Sequence, residues 1–184
     1  MYFKKPGPGN TQATLEAASR RAEALGIKRA VVATCTGDTA LKAREVLPEG
    51  VEVIAVTHVT GFKEPNAQEL SGEAARSLGE KGVKILTAGH AFGGVGRAFR
   101  NKTGSFQVDE VMAFTLRILG QGLKVVAEIS MMAADAGLVR TDEDVIAVAG
   151  SGRGADTAVV LRPVNSAQFF DMKIREILCK PSGL

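Results

Sequence analysis

An α/β fold in three layers, with helices on both faces of a mostly parallel sheet, is what this sequence predicts. Three observations lead there. Short β-branched runs alternate with longer stretches of helical periodicity, aromatic residues are scarce beside Ala, Val and Gly, and several apolar runs end in small polar turns. Alternation at this pitch implies parallel βαβ units joined by right-handed crossovers. At 184 residues, 45% of them hydrophobic, the chain reads as one domain spanning 1–184 with enough apolar surface for a sizeable core.

Taken in order, Tyr2-Phe3 is a short opening strand closed by the Pro6–Gly9 turn. A helix runs from Asn10 or Thr11 to about Leu25, with Leu15, Ala18, Ala22 and Leu25 on one face and Gly26 as its stop. Strand 28–33, helix 39–47 and strand 51–57 follow, then the loop "HVTGFKEPN" and a helix over about 67–80. "VKILTA" is a further strand. The glycine-rich stretch "GHAFGGVGRAFRNKTGSF" reads as loop plus a short helix. Helices are expected over 107–119 and 125–136, although Val125–Ile129 also suits a strand. "DVIAVAG" and "DTAVVLRPV" are two late strands around a glycine turn, and "KIREILCKP" closes the chain as a strand after the helical or irregular "SAQFFD".

Composition narrows the function. A net charge of +3 is mild, and the basic residues are scattered rather than interleaved with aromatics, which disfavours nucleic acid as a partner. No apolar stretch approaches the ~20 residues that cross a bilayer. The opening "MYFKKPGPGNT" has no apolar leader core, so a cytoplasmic protein without membrane contact is expected. Cys35 and Cys179 form no recognisable pair, and no metal site is expected.

Candidate chemistry gathers where strands end. In "RAVVATCTGDTALKAREV" the turn Thr34–Thr39 places three threonines, a glycine and a thiol at a strand-to-helix corner. Helix N-termini offer unpaired amides and about half a positive charge, so a phosphate suits the corner. Simple capping by Thr36 or Asp38, worth roughly 1 kcal/mol, is the plainer alternative. The P-loop pattern is absent, and the Arg that a phosphatase cysteine needs six positions on is Leu41. Cys35 itself reads as a small buried filler. The second cluster, Gly150-Ser151-Gly152-Arg153-Gly154-Ala155, satisfies G-x-G-x-x-A, yet a strand follows it where a dinucleotide site needs a helix. His58 and His90 each follow a strand, on the same sheet edge as the Thr34 turn. Glu128 and Asp135, seven apart, share one side of a helix, while Met131 and Met132 are core.

The run "NTQATLEAASRRAEALGIKRAVVATCTGDTALKAREVLPEGVEVIAVT" resembles the carboxy-terminal domain of pyruvate kinase. In that family the corresponding turn binds the phosphate of a sugar bisphosphate effector. "YFKKPGPGNT", "THVTGF", "AEISMMAADAG", "GSGRGADTAVVLRP" and "FFD" extend the likeness to a prokaryotic group built on this domain alone, whose members look like binders of flavin mononucleotide (FMN) or a similar phosphate-bearing ligand. The resemblance implies that Thr34, Thr36, Gly37 and Thr39 hold the phosphate. It implies that His58, Thr60, Gly61 and Phe62 lie along the ligand. Ser151, Gly152, Arg153, Asp156 and Thr157 would form the opposite wall. Asp38 stands where the family has a basic or small residue, which argues against the same effector. Domains of this type often form homo-oligomers.

These readings leave three functions open. The first is a binder of a phosphate-bearing small molecule, FMN foremost. The second is a non-catalytic sensor of a phosphorylated metabolite, and the third a sugar-phosphate phosphatase or isomerase with His58 or His90 as base. No residue commits the chain to a reaction.

Overall fold

A computed structural model describes residues 1–183. Seven strands, β1 (Tyr2–Phe3), β2 (Arg29–Ala33), β3 (Glu52–Val56), β4 (Lys84–Leu86), β5 (Val145–Ala149), β6 (Thr157–Arg162) and β7 (Lys173–Pro181), form one sheet in the order β1-β7-β6-β5-β2-β3-β4. Four of the neighbouring pairs are parallel, and β6 runs antiparallel to both β5 and β7. The expected α/β sandwich with a mostly parallel sheet is therefore the fold.

Central strands buried on both faces need apolar residues at every position, which explains unbroken runs such as "VIAVA". Side chains alternate across the sheet. Ala30, Val32, Val53 and Ile146 point to one face, under α1 (Thr11–Leu25), α2 (Asp38–Val46) and α3 (Gly72–Glu80). Val31, Ile54, Val145 and Ala147 point to the other, under α6 (Gln121–Asp135). A smaller cluster of Phe92, Ala113, Ala127 and Met131 seats α5 (Val108–Arg117) on α6. The glycine-rich stretch holds α4 (Val95–Thr103). Phe99, Val111 and Phe114 of α4 and α5 remain exposed. No helix among the described residues is long and apolar enough to cross a membrane.

Boundaries differ from expectation where a local rule outweighs periodicity. The third helix starts at Gly72 rather than 67, because Asn66 adopts a left-handed φ of 64° and Ser71 supplies the N-cap, accepting from the Ala74 amide. α6 starts at Gln121, four residues early, directly after Gly120 at φ 120°. Residues 125–129 are helical, so the strand alternative falls. α5 opens with a reciprocal capping box between Gln107 and Glu110.

The chain's opening residues serve the glycine turn. Asp156, fully buried, accepts from the Gly7 amide at 3.0 Å and the Ser151 amide at 3.2 Å, and from the Thr157 hydroxyl at 2.9 Å. Thr11 Oγ1 accepts from the Ala155 amide at 3.0 Å while donating to the Pro8 carbonyl. Gly154 sits at φ 70°, and a Cβ there would lie 2.6 Å from the Pro8 Cα. The "PGPGNT" segment is thus a latch on the β5–β6 turn.

Candidate functional site

β2 leads through α2 to β3 on one side, whereas β5 lies on its other side and leads to β6. Chains leaving adjacent strands in opposite directions open a crevice at their carboxyl ends, the usual ligand position in such sheets. A cleft of about 840 Å³ lies there, bounded by the Thr34 turn, the Gly150 turn and one face of α6.

The Thr34 turn divides into spent and free groups. Thr34 Oγ1 accepts from the Gly37 amide at 3.0 Å, and the Thr36 hydroxyl donates to Asp38 Oδ2 at 2.9 Å. Thr39, 7% exposed, lines the cleft and has no side-chain hydrogen-bond partner among the described residues. Gly37 faces away. Its φ of 101° needs glycine, and its α-carbon packs toward Leu70 and Ala74. The first intrahelical bond of α2 runs from the Leu41 amide to the Gly37 carbonyl, and no side chain caps the helix. The amides of residues 38–40 therefore point their dipoles outward uncapped.

Of the other expected residues, His58, Phe62, Ser151, Gly152 and Arg153 line the cleft. Thr60 and Gly61 do not. They build the loop, where the Gly61 amide donates to the Ala67 carbonyl and Thr60 accepts from Gln68. Asp156 and Thr157 are fully buried in the latch and do not reach the cleft. His90 does, accepting from the Val59 amide at 3.3 Å through Nε2. Burial holds its pKa below the ordinary value, with the charges of His58, Lys124 and Arg97 assisting and Glu128 opposing, consistent with a neutral, accepting ring. Asp135 lies outside the cleft and accepts from Asn165 and from the Ser166 amide.

Cys35 is not a buried filler. It is half-buried on the cleft wall, with Sγ 3.5 Å from His58 Nδ1 and 3.6 Å from Nε2. Glu69 Oε2 lies 2.6 Å from His58 Nδ1, and Lys63 pairs with the other oxygen. The Cys35 contact is the largest cause holding the His58 pKa above its ordinary value; Glu69 adds to it and burial opposes. Lys63 first, then His58, keeps the Glu69 carboxyl below its usual range. Phe62 stacks on His58 at 4.1 Å and on His90 at 5.1 Å, so three flat rings edge the cleft.

On the α6 side, Lys124 and Glu128 form a buried i,i+4 ion pair, and Glu128 Oε1 accepts from the Phe92 amide at 3.0 Å. Burial depresses the Lys124 pKa against the pull of Glu128. Six cations (Lys42, Lys63, Arg97, Arg117, Lys124 and Arg153) line the cleft against three carboxylates, those of Asp38, Glu69 and Glu128. Five of those cations were not expected from the sequence. Lys42 carried a signal, being four residues beyond Asp38 on one helical face, and so did Lys124, four before Glu128.

Residues 12–161 match the family model described as "Pyruvate kinase, alpha/beta domain". Among solved structures, a pyruvate kinase from Cryptosporidium parvum is 19% identical, covering 84% of this chain and 23% of its own, with a TM-score of 0.45. A second structure of the Cryptosporidium parvum enzyme is 21% identical over 78% of this chain and 21% of that one, at TM-score 0.39. The same organism's enzyme in complex with ADP is 21% identical over 88% and 25%, at TM-score 0.45. The chain spans about a quarter of the length of these enzymes or less.

Proposed function

The chain belongs to the pyruvate kinase α/β-domain family, and from that premise we propose that its cleft binds a phosphorylated small molecule, FMN before others. One observation carries the reading: six cations against three carboxylates line the cleft into which the uncapped amino end of α2 opens. In a partly enclosed cleft such an excess favours an anion far more than it would on open surface. The phosphate contacts fall to Thr39, the amides of residues 38–40 and Lys42, with Arg153 opposite. Thr36 is not among them, since Asp38 holds its hydroxyl.

The size of the cleft and the rings on its wall support FMN as the ligand. About 840 Å³ lies within the range of ligand sites, roughly 300–1,000 Å³. The rings of His58, Phe62 and His90 offer a flat aromatic edge for a fused ring system. Asp38, lining the same cleft, repels a second phosphate nearby and so favours a monophosphate over a bisphosphate. A bound flavin supplies redox chemistry of its own, and the protein's share is to seat it. Arg97, stacked over Phe62 at 5.6 Å, and Lys63 close the outer rim of that seat.

Native mass spectrometry of the full chain, as purified and after incubation with FMN, tests this. A one-to-one adduct bearing phosphate is the expected result. No adduct with FMN, or a co-purifying ligand without an anionic group, contradicts the reading.

A further inference from the structure

We propose that Cys35 is a nucleophile, with His58 as the base that receives its proton and Glu69 as the carboxylate that orients the imidazole, and that it reacts with an anionic aldehyde held in the cleft. The structure brings together the three groups that such chemistry needs, a thiol, an imidazole and a carboxylate on that imidazole. Cys35 Sγ lies about equally close to both ring nitrogens, 3.5 Å from Nδ1 and 3.6 Å from Nε2; Glu69 at 2.6 Å engages Nδ1, so Nε2 is the nitrogen left free to accept the thiol proton. The three residues come from three places: just past β2, just past β3, and the loop before α3. No single turn brings them together. Phe62 stacks on the imidazole at 4.1 Å and restrains its plane.

The same three side chains are close enough to share a cation. Ligand atoms about 2.0–2.3 Å from a tetrahedral zinc, however, stand more than ~3 Å from one another. The 2.6 Å between His58 and Glu69 is a hydrogen-bond distance, which leaves a direct relay as the better account.

The step balances without a co-reactant. Sulfur adds to the aldehyde carbon, the C–S bond forms, and the C=O π pair moves to oxygen. The thiol proton passes to His58 Nε2 and from there to that oxygen. The product is a thiohemiacetal, and nothing is oxidised or reduced. Uncapped amides of α2 begin three residues beyond Cys35, where they favour the developing negative charge. That the aldehyde is an anion rests on the proposed function above; the reactivity of the thiol does not. The raised proton affinity of His58 suits a base.

Alkylation of the full chain, followed by peptide mass spectrometry, separates the two. Cys179, fully buried, is the internal reference. General-base assistance is commonly worth ~100-fold, so Cys35 should react with iodoacetamide at least ~10-fold faster than the same thiol in a peptide of residues 32–40. His58→Asn should remove that excess. Glu69→Gln should reduce it and move its pH profile downward, because the carboxylate favouring imidazolium is gone. Glyoxylate should protect Cys35 and acetaldehyde should not. A Cys35 no faster than the peptide overturns the triad without recourse to any variant, as does a folded His58→Asn variant that reacts at the wild-type rate. A fast thiol without preference for iodoacetate over iodoacetamide, and without glyoxylate protection, keeps the triad and removes the anionic substrate.

Discussion

Replacing Glu128 with alanine is expected to cost about 3 kcal/mol of stability, the lower end of what breaking a buried ion pair costs. The side chains of Lys124 and Glu128 are 7% and 6% exposed. Losing the carboxylate strands the Lys124 ammonium and leaves the Phe92 amide without its acceptor. Two features keep the cost from the upper end. Burial already lowers the Lys124 pKa, so the stranded amine can shed its proton, and the adjoining cleft admits water. The double replacement Lys124→Met with Glu128→Met should cost less than Glu128→Ala alone, since it removes both charges and leaves only the Phe92 amide unpaired. Urea unfolding measures all three chains. A Glu128→Ala loss below ~1 kcal/mol, the value of an exposed pair, would mean the pair is solvated.

Gly122→Ala should also destabilise the fold, by about 2 kcal/mol net, against the usual benefit of alanine in a helix. A Cβ at position 122 would lie 2.0 Å from Thr157 Oγ1 and 2.4 Å from its Cβ. Thr157 is fully buried at the start of β6 and cannot retreat, so α6 must lift from the sheet. Overpacking of this kind costs up to ~3 kcal/mol, and helix propensity returns at most ~1. Gly79→Ala is the matching control. It is exposed in α3 with open space around its α-carbon, so there the propensity gain of at most ~1 kcal/mol should appear undiluted. Thermal unfolding should therefore move in opposite directions for the two substitutions, and a stabilising Gly122→Ala would refute the close α6–β6 contact.

Much of this architecture is legible because parallel strands buried on two faces announce themselves as apolar runs between amphipathic segments. The site was legible to the extent that it sits at strand ends. Thr34, His58 and His90 each follow an apolar run, Thr39 opens the helix after the first of these, and the parallel sheet brings those ends together. What resisted reading came through long-range pairing. Nothing in "THVTGFKEPNAQEL" announces that Glu69 returns to His58 across eleven residues, or that the thiol of Cys35 meets the same ring. Asp156 and Thr157 adjoin the glycine turn in sequence, yet the strand that begins there turns both inward, to the opening "PGPG" latch and to Gly122. Thr36 reads as a phosphate donor in the sequence, whereas in the structure its hydroxyl donates to Asp38.

Titrating the full chain with FMN and with riboflavin, which differs only in lacking the phosphate, measures directly what the cleft's cations and the amino end of α2 contribute to binding. FMN should bind at least ~10-fold more tightly, about 1.4 kcal/mol, and added salt should narrow the gap as it screens the cleft's cations. Thr39→Val with Lys42→Met should narrow it further by removing a neutral donor worth ~1 kcal/mol and one of those cations. Equal affinity for the two flavins, or binding of neither, would contradict the proposed phosphate site.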